Sequence, residues 1–203
     1  GELAEDASNL VCRALASGLG DLDGLRVECR NRIPLGRGLG SSAAAACAGL
    51  VAANALGGLR WSPDELLARA DELEGHPDNA AACLNGGFVA VAPGPRAVPV
   101  PAPAGLAFVL VIPECRTSTD EARSSLPEAV PVADAAATLA SAVGLVLALS
   151  EGRLEDLPAV LADRLHEPHR APLVPAIGAL RGLVDGAGCL GATISGSGPS
   201  VLL

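Results

Sequence analysis

Pro34-Leu35-Gly36-Arg37-Gly38-Leu39-Gly40-Ser41-Ser42, followed at once by four alanines at 43–46, is the stretch on which the reading of this chain turns. Upstream, residues 25–33 (Leu-Arg-Val-Glu-Cys-Arg-Asn-Arg-Ile) alternate apolar and polar side chains, which predicts a half-buried strand. Downstream, the small-residue run predicts a helix over residues 42–56 that can pack very close to its neighbours. Strand, glycine loop and helix start, in that order, form a socket for an anion. The glycines allow close backbone approach and positive φ. The first N–H groups of the helix lack intrahelical partners and can point at a phosphate. Ser41 and Ser42 add hydroxyls for hydrogen bonds or for a metal ion. Taken alone, such a loop also fits a purely structural turn. The dinucleotide fingerprint fails on glycine spacing, and the Walker loop fails because it needs a lysine.

The chain contains no lysine: all 14 basic residues are arginine, against 23 acidic ones, for a formal net charge of −9. That balance argues against nonspecific binding to nucleic acid or to an anionic membrane. With no Tyr, one Trp and two Phe, the core has to be built from Ala, Leu and Val. The 203 residues suffice for one large domain or two small ones. Six cysteines are scattered singly without a C-x-x-C pair, which fits buried thiols in a reducing cytoplasm. No signal peptide is visible, and no apolar run of 18 residues is free of Gly, Pro or charge. The chain has no Met and starts at Gly1, so it reads as processed or, preferably, as a fragment.

Working outward, residues 4–18 read as a helix capped by Asp6 or Ser8. Ser62, Pro63 and Glu65 make a capping box that starts a helix running to about Glu74. A short helix is expected over 80–84 and a strand over 88–92. The proline-rich run 93–103 reads either as a linker or as a hairpin with an irregular edge strand. Residues 106–112 predict a buried strand, and residues 117–121 open a short helix containing Arg123. Long helices are expected over 132–149, 150–163 and 174–187, with a break at 166–170. Strand, glycine turn and strand close the chain over 188–200.

The full string P-x-G-x-G-L-G-S-S-A resembles the phosphate loop of the kinase superfamily named for galactokinase, homoserine kinase, mevalonate kinase and phosphomevalonate kinase. Gly191-Ala192-Thr193-Ile194-Ser195-Gly196-Ser197-Gly198-Pro199-Ser200 is similar to its third motif. Three further stretches resemble the homoserine kinase family: Glu74-Gly75-His76-Pro77-Asp78-Asn79, Ser118-Thr119-Asp120-Glu121-Ala122-Arg123 and Glu167-Pro168-His169-Arg170.

The resemblance implies an α+β, two-subdomain GHMP kinase fold. Its ATP-binding part, ribosomal protein S5 domain 2-like, would occupy 1–103 and its ferredoxin-like part 104–203. It implies ATP and Mg²⁺ as cofactors and L-homoserine as acceptor, with no nucleic acid or membrane partner, a cytoplasmic location, and a homodimer as an option. Pro34, Gly36, Gly38, Leu39, Gly40, Ser41 and Ser42 would wrap the ATP phosphates, and Asn9 would contact the base. Ser42 and Glu74 would hold Mg²⁺, with Ser41 and Glu72 as the alternatives. His76 and Asn79 would face the amino acid, and Arg123 and Arg170 would clamp its carboxylate, which suits the planar guanidinium fork. Thr119 would sit near the γ-phosphate, and Gly196 and Gly198 would form a structural turn. Asn79 stands where mevalonate kinases carry a catalytic Asp and cannot take a proton. The implied mechanism is therefore positioning and charge stabilisation, with Asp78 a less suitable base.

The family begins with a strand and loop resembling P-A-[ST]-[ST]-A-N-L-G-x-G-F-D, which is absent here, and Val201-Leu202-Leu203 stops inside an expected strand. Truncation at both ends is thus expected. Another GHMP small-molecule kinase, or an inactive fragment that at most binds nucleotide, remain the alternatives.

Overall fold

The computed structural model describes residues 3–184, 186 and 188–203. The chain divides into two compact units, one comprising Gly1–Arg32 with Gly40–Val100, the other Ile33–Leu39 with Pro101–Leu203. The glycine loop is therefore shared, its first part belonging to the second unit and its last residues, from Gly40, to the first.

The first unit is built on a helical pair. Helix α1 (Leu10–Leu19) starts later than expected, because Asn9 caps it: the Asn9 side chain accepts from the Val11 N–H at 3.0 Å. Asp6 instead closes a turn with Ser8. Helix α2 (Ser41–Gly57) packs against α1, and Gly49 makes that possible. A Cβ there would lie 2.4 Å from the Val11 carbonyl oxygen and 2.6 Å from the Ala14 Cβ. Helix α3 (Pro63–Glu74) begins with the expected capping box and ends on the left-handed Gly75. Helix α4 (Asp78–Asn85) follows directly. Strands β1 (Phe88–Ala92) and β2 (Arg96–Val100) form an antiparallel hairpin with Phe88 opposite Val100. The proline-rich run is thus a hairpin, and Pro99 is tolerated in it because β2 has an unpaired edge. Ala14, Ala43, Cys47, Leu50, Leu67, Ala70, Ala80 and Ala81 form the core, with the half-buried Trp61 against it.

The expected strand over 25–33 does not form. Alternation gives a segment a face, but a strand exists only when its N–H and C=O groups find a ladder. Among the described residues the named sheets do not include this segment.

In the second unit, β3 (Leu110–Val111), β4 (Thr193–Ile194) and β5 (Val201–Leu202) make an antiparallel sheet in the order β3-β5-β4. The buried strand expected over 106–112 is far shorter, and its Phe108, Val109, Leu110 and Ile112 are exposed. Val174, Ile177, Ala192, Ile194 and Val201 form the core. Short helix α5 (Thr119–Ser124) is capped by Ser118. Helix α6 (Val132–Glu151) ends at the left-handed Gly152, where the chain turns into a 3-10 turn and the single-turn α7 (Leu157–Val160). The long helix expected over 150–163 is therefore absent. The helix expected over 174–187 shrinks to α9 (Ile177–Arg181), and Asp185 and Ala187 of that stretch lie outside the described residues. Residues 167–170, expected as a break, form the one-turn helix α8 (Glu167–Arg170).

By length and composition α6 is apolar enough to cross a membrane. Its apolar run is interrupted in the sequence by Asp134 and Gly144. Both serve contacts within this unit. Asp134 pairs with Arg164 at 3.5 Å, and Gly144 admits Val160 so closely that a Cβ would lie 2.7 Å from it.

Candidate active site

Helix α2 has an open N-terminus. Gly40, its N-cap, is left-handed (φ 71°, ψ 25°) and offers no side-chain cap, and the first turn contains no acidic residue. By contrast, α3 satisfies its own first N–H groups through Ser62. A 17-residue helix with unsatisfied leading donors and the positive end of its dipole exposed is a binding place for an anion.

Asn79 lies beside this opening. A Cβ placed on Gly40 would come within 3.7 Å of the Asn79 Oδ1, so a residue with a side chain at position 40 would occupy the space in front of that amide. Asn79 itself is fixed by its position in the first turn of α4, where its N–H donates to Asp78 Oδ1 at 2.8 Å. The same Asp78 oxygen is 2.7 Å from His76 Nδ1, which orients the imidazole. One Asp78 oxygen thus serves both the His76 ring and the Asn79 N–H. Ser41 accepts from the Asn31 amide at 3.1 Å, and Ser42 is exposed.

Glu74 ends α3 in a half-buried position, while Glu72 is exposed. Its charge is felt at α2. Burial pushes the Cys47 thiol of α2 up to about 12, with the neighbouring Cys83 and the charge of Glu74 adding to the effect. Among the described residues no three His, Cys, Asp or Glu side chains gather as a metal cluster. One carboxylate and a hydroxyl on the two helices do fit a hard cation that keeps waters and takes its other ligands from phosphate oxygens.

The second unit holds the first part of the loop against the closing glycine turn. Gly36 and Gly38 have φ of 62° and 68°. The Ser195 hydroxyl donates to the Gly38 carbonyl at 2.8 Å. The Thr117 N–H donates to the Gly36 carbonyl at 3.2 Å, tying the segment before α5 to the loop. Arg37 donates to the Glu114 carbonyl. Thr119 opens α5, and Arg123 lies exposed in its last turn. Arg170, at the end of α8, donates from Nη1 to the Gly196 carbonyl at 3.0 Å, while its Nε is buried without a partner. The start of α8 is capped by Asp163, which accepts from the N–H groups of Leu165, His166 and Glu167. Burial would raise the Asp163 pKa, but those three donors and His166 outweigh it and hold the carboxyl below its usual range.

Within the first unit Gly40 therefore lies beside Asn79, and Asp78 links Asn79 to His76. Within the second, Gly36 and Gly38 meet the segment leading to Thr119 and the Gly196–Gly198 turn, on which Arg170 rests. Asn9 is drawn into capping: its Nδ2 also donates to the Ala4 carbonyl at 2.7 Å. The sequence reading left the Ser195 hydroxyl and the Glu167 carboxylate out of the site. Their signal is tertiary, since each acts on residues far away in the chain.

Comparison with known proteins gives a consistent picture. The GHMP kinases N terminal domain family matches residues 3–87, and the GHMP kinases C terminal family matches residues 145–203. The chain is 43% identical to a homoserine kinase of Thermus thermophilus, covering 97% of this chain and 69% of that one. It is 39% identical to a homoserine kinase of Caldicellulosiruptor bescii, over 98% of this chain and 67% of that one. Its fold is similar to the crystal structure of homoserine kinase from Cytophaga hutchinsonii, with a TM-score of 0.88 at 35% identity, over all of this chain and 68% of that one.

Proposed function

The chain belongs to the GHMP kinases, in their homoserine kinase branch, and from that premise we propose that it transfers the γ-phosphoryl group of ATP to the side-chain hydroxyl of L-homoserine. The products are ADP and O-phospho-L-homoserine, a step of threonine biosynthesis. The observation that carries the reading is the open N-terminus of α2 with Asn79 beside its Gly40 cap.

The backbone N–H groups at Gly40, Ser41 and Ser42, with Pro34, Gly36, Gly38 and Leu39 before them, receive the triphosphate. Ser42 and Glu74 would hold Mg²⁺. When bound, the ion supplies positive charge against the phosphate oxygens. Arg123 and Arg170 take the α-carboxylate of the amino acid, because a guanidinium fork pairs with a carboxylate through two parallel hydrogen bonds. His76, oriented by Asp78, and Asn79 hold the hydroxyl end.

The hydroxyl oxygen attacks the γ-phosphorus in line, its bond to phosphorus forms as the bond to the ADP oxygen breaks, and the hydroxyl proton passes to solvent. Asn79 takes no proton. It gains rate by orientation, which together with electrostatic stabilisation is nearly all that proteins supply to phosphoryl transfer. Thr119 donates toward the transferred group. All six cysteines are free thiols, which suits a cytoplasmic enzyme.

A coupled ADP-release assay with L-homoserine, mevalonate and shikimate tests the assignment. Turnover of homoserine alone is expected; turnover of another alcohol without homoserine would move the chain to a different branch.

A further inference from the structure

Glu167 is 6% exposed and has no part in the transfer described above. A carboxylate that deep is costly unless it is fully partnered. Its Oε1 accepts from the Thr193 hydroxyl at 2.8 Å and from the Ile194 N–H at 2.7 Å, and its Oε2 pairs with the Arg181 guanidinium. Glu167 is the first residue of α8 and Arg170 the last. Both ends of this single helical turn are therefore tied to one strand and its turn, Glu167 at Ile194 and Arg170 at Gly196. Ser195, between them, holds the Gly38 carbonyl. A one-turn helix has too few internal hydrogen bonds to orient itself, so its direction comes from such ties.

We propose that Glu167 is a positioning residue: it anchors α8 on β4 so that the Arg170 guanidinium is presented in fixed register with the Gly196 turn, and it thereby sets the affinity for the amino-acid carboxylate. The inference rests on the assignment of Arg170 to that carboxylate. Glutamine cannot replace Glu167, because its amide offers one acceptor oxygen where the site has donors on both sides, and its NH₂ would face a donor.

The test compares Glu167→Gln, Arg170→Ala and the double variant. Glu167→Gln is expected to raise the KM for L-homoserine about tenfold or more, with the KM for ATP changed less than about twofold. In the Arg170→Ala background the same substitution is expected to change the homoserine KM by less than about twofold, since the effect passes through Arg170. A merely structural role would lower the folded fraction and hence kcat, leaving KM alone. An unchanged homoserine KM in Glu167→Gln, or additive effects in the double variant, overturns the proposal. If Glu167→Gln does not fold, Thr193→Val, which removes one donor, is expected to shift the same KM in the same direction, and no shift overturns the proposal. The rate of phenylglyoxal modification at Arg170, read by mass spectrometry, separates this proposal from the assignment of substrate. It is expected to rise several-fold in Glu167→Gln whatever alcohol the protein phosphorylates, and an unchanged rate overturns the positioning role.

Discussion

A Cβ added to Gly38 would lie 2.2 Å from the carbonyl oxygen of Ser195, and the Ser195 hydroxyl is bonded to the Gly38 carbonyl. The two glycine motifs are thus interlocked backbone to backbone within one unit, and position 38 admits no side chain. Gly36, also left-handed, is different: the atoms nearest to a Cβ there belong to the Arg116 side chain, at 3.5 Å, an ordinary van der Waals distance. Gly38→Ala should therefore lose about 10²-fold in kcat/KM, the usual cost of displacing one preorganised donor. Gly36→Ala should pay only the strain of positive φ, about 1–3 kcal/mol of stability, and keep most activity. Steady-state kinetics and thermal unfolding of the two variants check the contrast.

Asp78 Oδ1 lies 2.7 Å from His76 Nδ1 and accepts from the Asn79 N–H at 2.8 Å, and in the proposed mechanism it positions these residues without acting as the base. Asp78→Asn keeps a capping side chain and should cost no more than about tenfold in kcat, whereas loss of a general base costs about 10²–10⁴-fold. Asn79→Ala should lose more than Asp78→Asn. The reverse order in single-turnover rates would reinstate Asp78 as the base.

Asp163 carries a pH signature. Its carboxyl is held below the ordinary value of 3.8, because three backbone donors outweigh the burial that would raise it. A group whose folded pKa is depressed stabilises above its unfolded pKa and loses that contribution as pH falls through the folded value. The melting temperature of Asp163→Ala should therefore sit below that of the unsubstituted protein above the carboxylate range, and the gap should close on acidification through that range. Melting curves across pH measure it.

Cys47 is buried, and its thiol, pushed up to about 12 by that burial, stays protonated at any physiological pH. Because the thiolate is the nucleophile, iodoacetamide at pH 8 should modify the exposed Cys29, Cys83 and Cys115 and spare Cys47 in the folded protein. Mass mapping of the alkylated peptides reads this directly.

What the sequence made legible was whatever is decided locally. Ser62 and Glu65 lie three residues apart and cap α3 without help, and the glycines at 36, 38 and 40 needed only their own φ angles. The strand expected over 25–33 failed because periodicity describes a face, while a ladder needs a partner elsewhere in the chain. The strand expected over 106–112, read from a continuous apolar run, shortened to the residues that pair with β5. The overlong helix at 150–163 ignored Gly152, a left-handed stop for α6. At the site, residue types within one motif, such as His76, Asp78 and Asn79, were readable together. The bond from Ser195 to Gly38 spans most of the chain, and no local pattern announces it.

The central claim is tested most directly by following ATP, Mg²⁺ and L-homoserine with the protein by ³¹P NMR. The account predicts ADP signals growing in step with one phosphomonoester resonance that coincides with added O-phospho-L-homoserine and is lost in Asn79→Ala. Growth of inorganic phosphate alone, or a phosphomonoester formed from another alcohol but not from homoserine, would contradict it.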